Sequence, residues 1–236
     1  MGRRYRDVML ELIDAVVGGE YAEGSRMPTE AQLRERFGAS RGVLREALLA
    51  LEERGLVAVA AGRGQIVRGR EAWDTRAPEV LRACVERGPD PTVLGQAIDA
   101  RAAVQRIAAE HVCRSGGDDI GLLVGHVDEL ALALDDEPAD RLGAGAAFLA
   151  AEVRFHRTLT ELSGNAVLAN LSEPLHLPLA ELRRRRAPER DRAVIVALRQ
   201  IIEGLSSREP ALADDAVTAY ARQLRRWLHA GRGTTG

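Results

Sequence analysis

Lysine is absent from this 236-residue chain, cysteine occurs twice, and aromatic residues make up 3%. Every one of the 33 cations is therefore arginine, a bias of coding from which no mechanism is read. Two cysteines, Cys84 and Cys113, exclude a disulfide-stapled scaffold and a cysteine-based metal site, and a reducing, cytoplasmic compartment is expected. So few aromatic residues exclude an aromatic-rich core and leave alanine, leucine and valine to pack the interior. The longest apolar run, residues 142–151, is bounded by Arg141 and Glu152. It falls far short of the roughly 20 residues a membrane helix needs, so no membrane partner is expected. Arg3, Arg4 and Arg6 are followed at once by Asp7, Glu11 and Asp14, so no secretion signal is expected. No glycine-rich phosphate loop, GxSxG elbow or HExxH pair occurs, which argues against an enzyme.

What is present suits a globular protein: 46% hydrophobic and 29% charged residues. The net charge of -2 conceals an asymmetry. Residues 1–70 hold 12 arginines against 10 acids, whereas residues 71–236 hold 21 against 25. The basic bias of the first segment is compatible with nucleic acid but is weak evidence alone.

That first segment reads as three helices and a hairpin. Met9, Leu12, Ile13 and Val16 recur at helical spacing until Gly18-Gly19. Thr29 and Gln32 form a capping-box pair opening a short second helix with Leu33 and Phe37 on its apolar side. Ser40 is the expected N-cap of a third helix in which Val43, Leu44, Ala47, Leu48 and Leu51 face inward, and Gly55 is placed to end it in a left-handed conformation. Two short strands, 56–60 and 65–68, then flank the turn Ala61-Gly62-Arg63-Gly64. This order predicts a winged helix-turn-helix, with the third helix as reader of the major groove. Arg41 and Arg45 lie one turn apart on the face opposite the leucines, where arginine can pair with guanine or hold phosphate; a merely solvated face is the alternative.

Residues 19–67 resemble the DNA-binding domain of the GntR family. The matching stretches are Gly24-Ser25-Arg26-Met27-Pro28-Thr29-Glu30, Phe37-Gly38-Ala39-Ser40-Arg41, Val43-Leu44-Arg45-Glu46-Ala47-Leu48, Gly55-Leu56-Val57 and Gly62-Arg63-Gly64-Gln65-Ile66-Val67. The resemblance implies a DNA-facing set of Thr29, Arg34, Ser40, Arg41, Arg45, Arg63, Gly64 and Gln65. One departure stands out: many relatives carry arginine where this chain has Ala31, which leaves Arg34 or Arg36 to compensate.

The expected division is a winged helix-turn-helix over 1–70, a linker over 71–77 and an antiparallel all-helical bundle over 78–230, making the fold mainly α. Helices are predicted near 78–87, 92–115, 118–136, 139–163, 165–184, 188–208 and 210–230, between glycine- and proline-containing breaks. Here Asp99-Ala100-Arg101, Ala108-Ala109, Arg154-Phe155-His156 and Ser163-Gly164-Asn165 resemble the all-helical, FCD-type ligand-binding domain of the FadR-like branch of the same family. Many members of that branch hold a divalent metal through an acid, a histidine four residues on and two later histidines. The resemblance maps the first pair onto Glu152 and His156, which share one helix face and read either as ligand-binding groups or as a buried hydrogen-bonded pair. The third position falls at Leu198 or Asp191 and the fourth at Tyr220, none of them histidine. No metal and no cofactor are expected, Glu152, His156 and Asp191 being weak candidates at most. Arg101 matches a family arginine facing the effector pocket, with an internal salt bridge as the alternative. Arg101, Glu152, His156 and Tyr220 thus form the expected effector site. His111, His126, His176 and His229 fall off the pattern and are expected to be solvated or internally satisfied.

Together these readings imply a cytoplasmic, homodimeric bacterial transcription regulator, a repressor, bound to a near-palindromic double-stranded operator. A carboxylate-bearing organic acid in the helical domain would set its operator affinity. The alternative is a DNA-binding dimer whose helical domain has lost its sensing role.

Overall fold

The computed structural model describes residues 2–60, 62, 64–88, 92–115, 119–135, 141–185 and 189–230. Capping at both helix starts sets the first layer. The Thr29 hydroxyl accepts from the Gln32 amide while Gln32 reaches back to the Thr29 N–H, opening α2 (Glu30–Phe37). The Ser40 hydroxyl accepts from the Val43 amide, opening α3 (Arg41–Glu53). With α1 (Arg3–Val17) they bury Val8, Leu12, Ile13, Leu44 and Leu51 completely. Strands β1 (Val57–Ala60) and β2 (Gly64–Val67) pair antiparallel, Val57 opposite Val67 and Ala60 opposite Gly64. The loop before α2 extends this sheet: Met27 N–H donates to the Gln65 carbonyl at 2.8 Å and Val67 N–H to the Ser25 carbonyl at 2.9 Å. Gly55 has φ +72°, and a Cβ there would stand 2.0 Å from the Ala72 carbonyl oxygen, so only glycine fits.

The chain consists of two compact units, Met1–Val93 and Leu94–Gly236. The expected boundaries need correction. Residues 71–77 are tied to the first unit: the Trp73 indole donates to the Arg68 carbonyl at 3.1 Å, and Asp74 N–H to the Arg54 carbonyl at 2.9 Å. Helix α4 (Pro78–Glu86), expected in the bundle, packs on α1 instead. Its Val80, Ala83 and Cys84 enter the first core, and Arg82 bridges Asp14 at 2.7 Å. Complete burial of Val80 alone favours that docking by roughly 1.5–3 kcal/mol.

The second unit is helical: α5 (Thr92–Ser115), α6 (Ile120–Asp135), α7 (Arg141–Leu162), α8 (Ala166–Ser172), α9 (Leu177–Arg185), α10 (Glu189–Ser206) and α11 (Pro210–Ala230). The segment 165–184, expected as one helix, is interrupted by a 3-10 turn, Glu173–His176. Pro174 has no N–H to donate and its ring opposes a continuous α-helix, which accounts for the break. Helices α10 and α11 meet backbone to backbone: a Cβ on Gly204 would lie 2.5 Å from the Ala213 nitrogen. Among the described residues no helix is long and apolar enough to cross a membrane.

Candidate functional site

On the first unit, α3 presents Arg41 and Arg45 to solvent while Leu44, Leu48 and Leu51 are buried. Neither arginine has an anionic partner among the described residues. Thr29 and Ser40 are exposed, but both hydroxyls are engaged as helix caps, so any contact they make with another molecule is shared with that role. Arg34 is exposed on α2. Arg36, the other substitute for the missing arginine at Ala31, is committed elsewhere: it pairs with Glu20, meets the Tyr21 hydroxyl at 2.6 Å and lies over the Phe37 ring. Gln65 and Arg45 line one groove between α3 and the hairpin. Gly64, φ +76°, is exposed at the hairpin end with the Arg26 guanidinium beside it, a cation not included in the expected DNA-facing set. Arg63 lies outside the described residues.

The second unit gathers its polar groups inside. Arg101 on α5, Glu152 and His156 on α7 and Tyr220 on α11 are all at most 2% exposed. The Tyr220 hydroxyl donates to Glu152 Oε1 at 2.5 Å, the Tyr220 ring stacks on His156 with centroids 5.5 Å apart, and the Arg101 guanidinium stands 5.4 Å from the Tyr220 centroid. The four residues expected at the effector site are therefore joined in one cluster through Tyr220.

Two further residues join them. Gln105, one turn after Arg101, has its amide nitrogen 2.8 Å from His156 Nδ1. His176, expected to be solvated or satisfied, is neither: the 3-10 turn buries it at 5% exposure with both ring nitrogens unpartnered. The i,i+4 spacing of Arg101 and Gln105 was a readable signal for the first. The turn inward at Pro174 leaves none for the second.

Burial is unmatched by hydrogen bonding in this cluster. Arg101 Nε and one terminal nitrogen, His156 Nε2 and both His176 nitrogens lack partners. A buried polar group without a partner costs about 1–3 kcal/mol, so each of these atoms calls for one. Burial, with Arg101 and His176 nearby, holds the His156 imidazole well below its usual range. Burial and Arg101 bring His176 down to about 4. Both rings are neutral at pH 7 and the guanidinium is the cation of the cluster.

The metal pattern of the family does not fit these residues. Leu198, in one register the third position, is fully buried and apolar, and the Tyr220 hydroxyl at the fourth donates a hydrogen bond to Glu152 where a ligand would be needed. Asp191 is buried on α10. Among the described residues no group of three or more histidine, cysteine or acidic side chains could hold a metal ion.

The family described as "Bacterial regulatory proteins, gntR family" matches residues 4–67, and the FCD domain matches residues 96–223. An uncharacterized HTH-type transcriptional regulator of Mycobacterium tuberculosis is 31% identical over 216 residues, covering 89% of this chain and 83% of that one. The galactonate operon transcriptional repressor of Escherichia coli is 28% identical over 169 residues, 70% of this chain and 69% of that one. A solved structure reported with the finding that Lar controls expression of the Listeria monocytogenes agr system matches over 98% of both chains. Its TM-score is 0.67 at 16% identity, a likeness of fold. A gntR-family head, an FCD domain over more than half of the chain and a 31% identical relative covered over most of its length make this chain a member of the GntR family of bacterial transcription regulators.

Proposed function

We propose that the protein is a homodimeric repressor that binds a near-palindromic operator through α3 and the wing, and that a carboxylate-bearing effector in the buried cluster controls that binding. The observation that carries the effector reading is the Arg101 guanidinium, 2% exposed, with two nitrogens lacking any partner. A buried cation of this kind is costly unless paired, and a planar fork of N–H donors matches a carboxylate. The galactonate operon repressor, whose name refers to a sugar acid, supports the same class of ligand. An effector favouring one arrangement of the dimer shifts operator affinity only by its differential affinity for the two arrangements.

The test is a thermal-shift screen of organic acids, galactonate included, on wild type and Arg101→Ala. A ligand at a hundredfold excess over its Kd stabilises by about 2.7 kcal/mol, hence raises Tm by roughly 5 °C or more in a chain of this size. We expect that rise in wild type and not in Arg101→Ala. The same acid should release wild type, but not the variant, from operator DNA followed by fluorescence anisotropy. If no acid moves the wild type, the helical domain serves dimerisation without sensing.

A further inference from the structure

We propose that the Gln105 amide locks His156 as its Nε2–H tautomer, making the buried cluster a direct receptor for an anion instead of a metal site. The inference rests on the reading that this cluster takes the effector, and it assigns the class of ligand chemistry to particular atoms.

Gln105 Nε2 is 2.8 Å from His156 Nδ1. An amide nitrogen has two hydrogens and no lone pair to offer, so Nδ1 is the acceptor. A neutral imidazole carries one proton, which then resides on Nε2. His156 is fully buried, and burial with the nearby Arg101 guanidinium keeps the ring neutral. Its Nε2 has no hydrogen-bond partner. That atom is consequently a buried donor in want of an acceptor, in the same cluster as the unpartnered donors of Arg101.

A metal requires the opposite arrangement. Coordination through Nε2 uses its lone pair, which leaves the proton on Nδ1, where an acceptor holds it. Gln105 presents a donor there. The remaining groups agree: Tyr220 already donates to Glu152 Oε1, and among the described residues no group of three or more histidine, cysteine or acidic side chains, Asp191 included, could hold a metal ion. His176 enlarges the receptor, since each neutral ring has one N–H to donate and both of its nitrogens are buried and unpartnered. Arg101, His156 and His176 are thus the donors that this cluster offers an anion, with no ion mediating.

The amide orientation decides the tautomer, so the tautomer is the quantity to measure. Long-range proton–nitrogen correlation spectra of protein labelled with 15N-histidine, at pH 7.5 without ligand, distinguish a protonated ring nitrogen from a bare one. His156 is assigned through its contacts with Phe155 and Tyr220. We expect a neutral His156 with the proton on Nε2 and Nδ1 bare. In Gln105→Glu the carboxylate accepts from the ring, and the proton should move to Nδ1. Zinc chloride alone should leave the wild-type His156 signals in place. A wild-type ring protonated at Nδ1, an unchanged tautomer in Gln105→Glu, or zinc displacing the Nε2 proton would overturn the proposal. If the Nε2–H tautomer is found but no organic acid raises Tm, the effector reading fails and the tautomer lock stands.

Discussion

Arg41 and Arg45 show how much of a side chain's placement one helical turn can encode. Their four-residue spacing places both on the solvent side of α3 while Leu44 and Leu48 fill the interior, so the pair was legible without coordinates. Since neither supports the fold, Arg41→Ala and Arg45→Ala should each weaken operator binding by roughly 1–3 kcal/mol if it contacts a base, with Tm unchanged. Fluorescence anisotropy at fixed salt reads this, and wild-type affinity in both variants would remove α3 from the groove. Glu152 and His156 were legible by the same spacing. Gln105, though one turn from Arg101, was not singled out, because its partner comes from α7 across the second unit, and His176 was set aside as solvated or satisfied, because only the turn at Pro174 brings it inside.

Between residues and the molecule, caps and glycines set the elements. Thr29, Ser40 and Gly55 announce the bounds of α2 and α3, since each meets a need of the backbone that few other residues meet. Less legible was the third run of the sheet, residues 24–27, whose pairing with β2 depends on the hairpin already being in place. Two left-handed glycines separate stability from binding. A methyl at Gly55 meets a buried backbone carbonyl, so Gly55→Ala should lower Tm sharply, by several kcal/mol of stability at least. A side chain at Gly64 meets only the movable end of Arg26, so Gly64→Val should cost about 1–2 kcal/mol in strain. Its larger effect should be on operator affinity, because a branched side chain keeps the wing from the DNA backbone. Calorimetry and anisotropy on the two variants check the contrast, and normal DNA binding by Gly64→Val would put the wing away from DNA.

For the molecule as a whole, the buried histidines couple stability to acidity. His176 titrates at about 4 when folded and near 6.5 when unfolded, and His156 is likewise depressed. Below about pH 6.5 the unfolded chain takes up protons that the folded chain refuses, so stability falls from there to about pH 4. For His176 alone the loss is on the order of 3 kcal/mol. Urea unfolding at pH 7.5 and pH 5 should show it, and His176→Asn should flatten the difference; equal slopes in both proteins would contradict it. The division of the chain was the least legible property at this scale, because α4 carries an ordinary amphipathic pattern that any apolar surface could cover. It belongs to the head through Val80, Ala83, Cys84 and the Arg82–Asp14 pair. This bears on how such regulators diversify. A recombination that joins one head to another helical domain keeps both parts whole only when the crossover falls beyond Glu86, in the stretch that ends at Val93. A crossover at the glycine hairpin, where the DNA-binding motif itself ends, would hand the new protein a head stripped of its own covering helix.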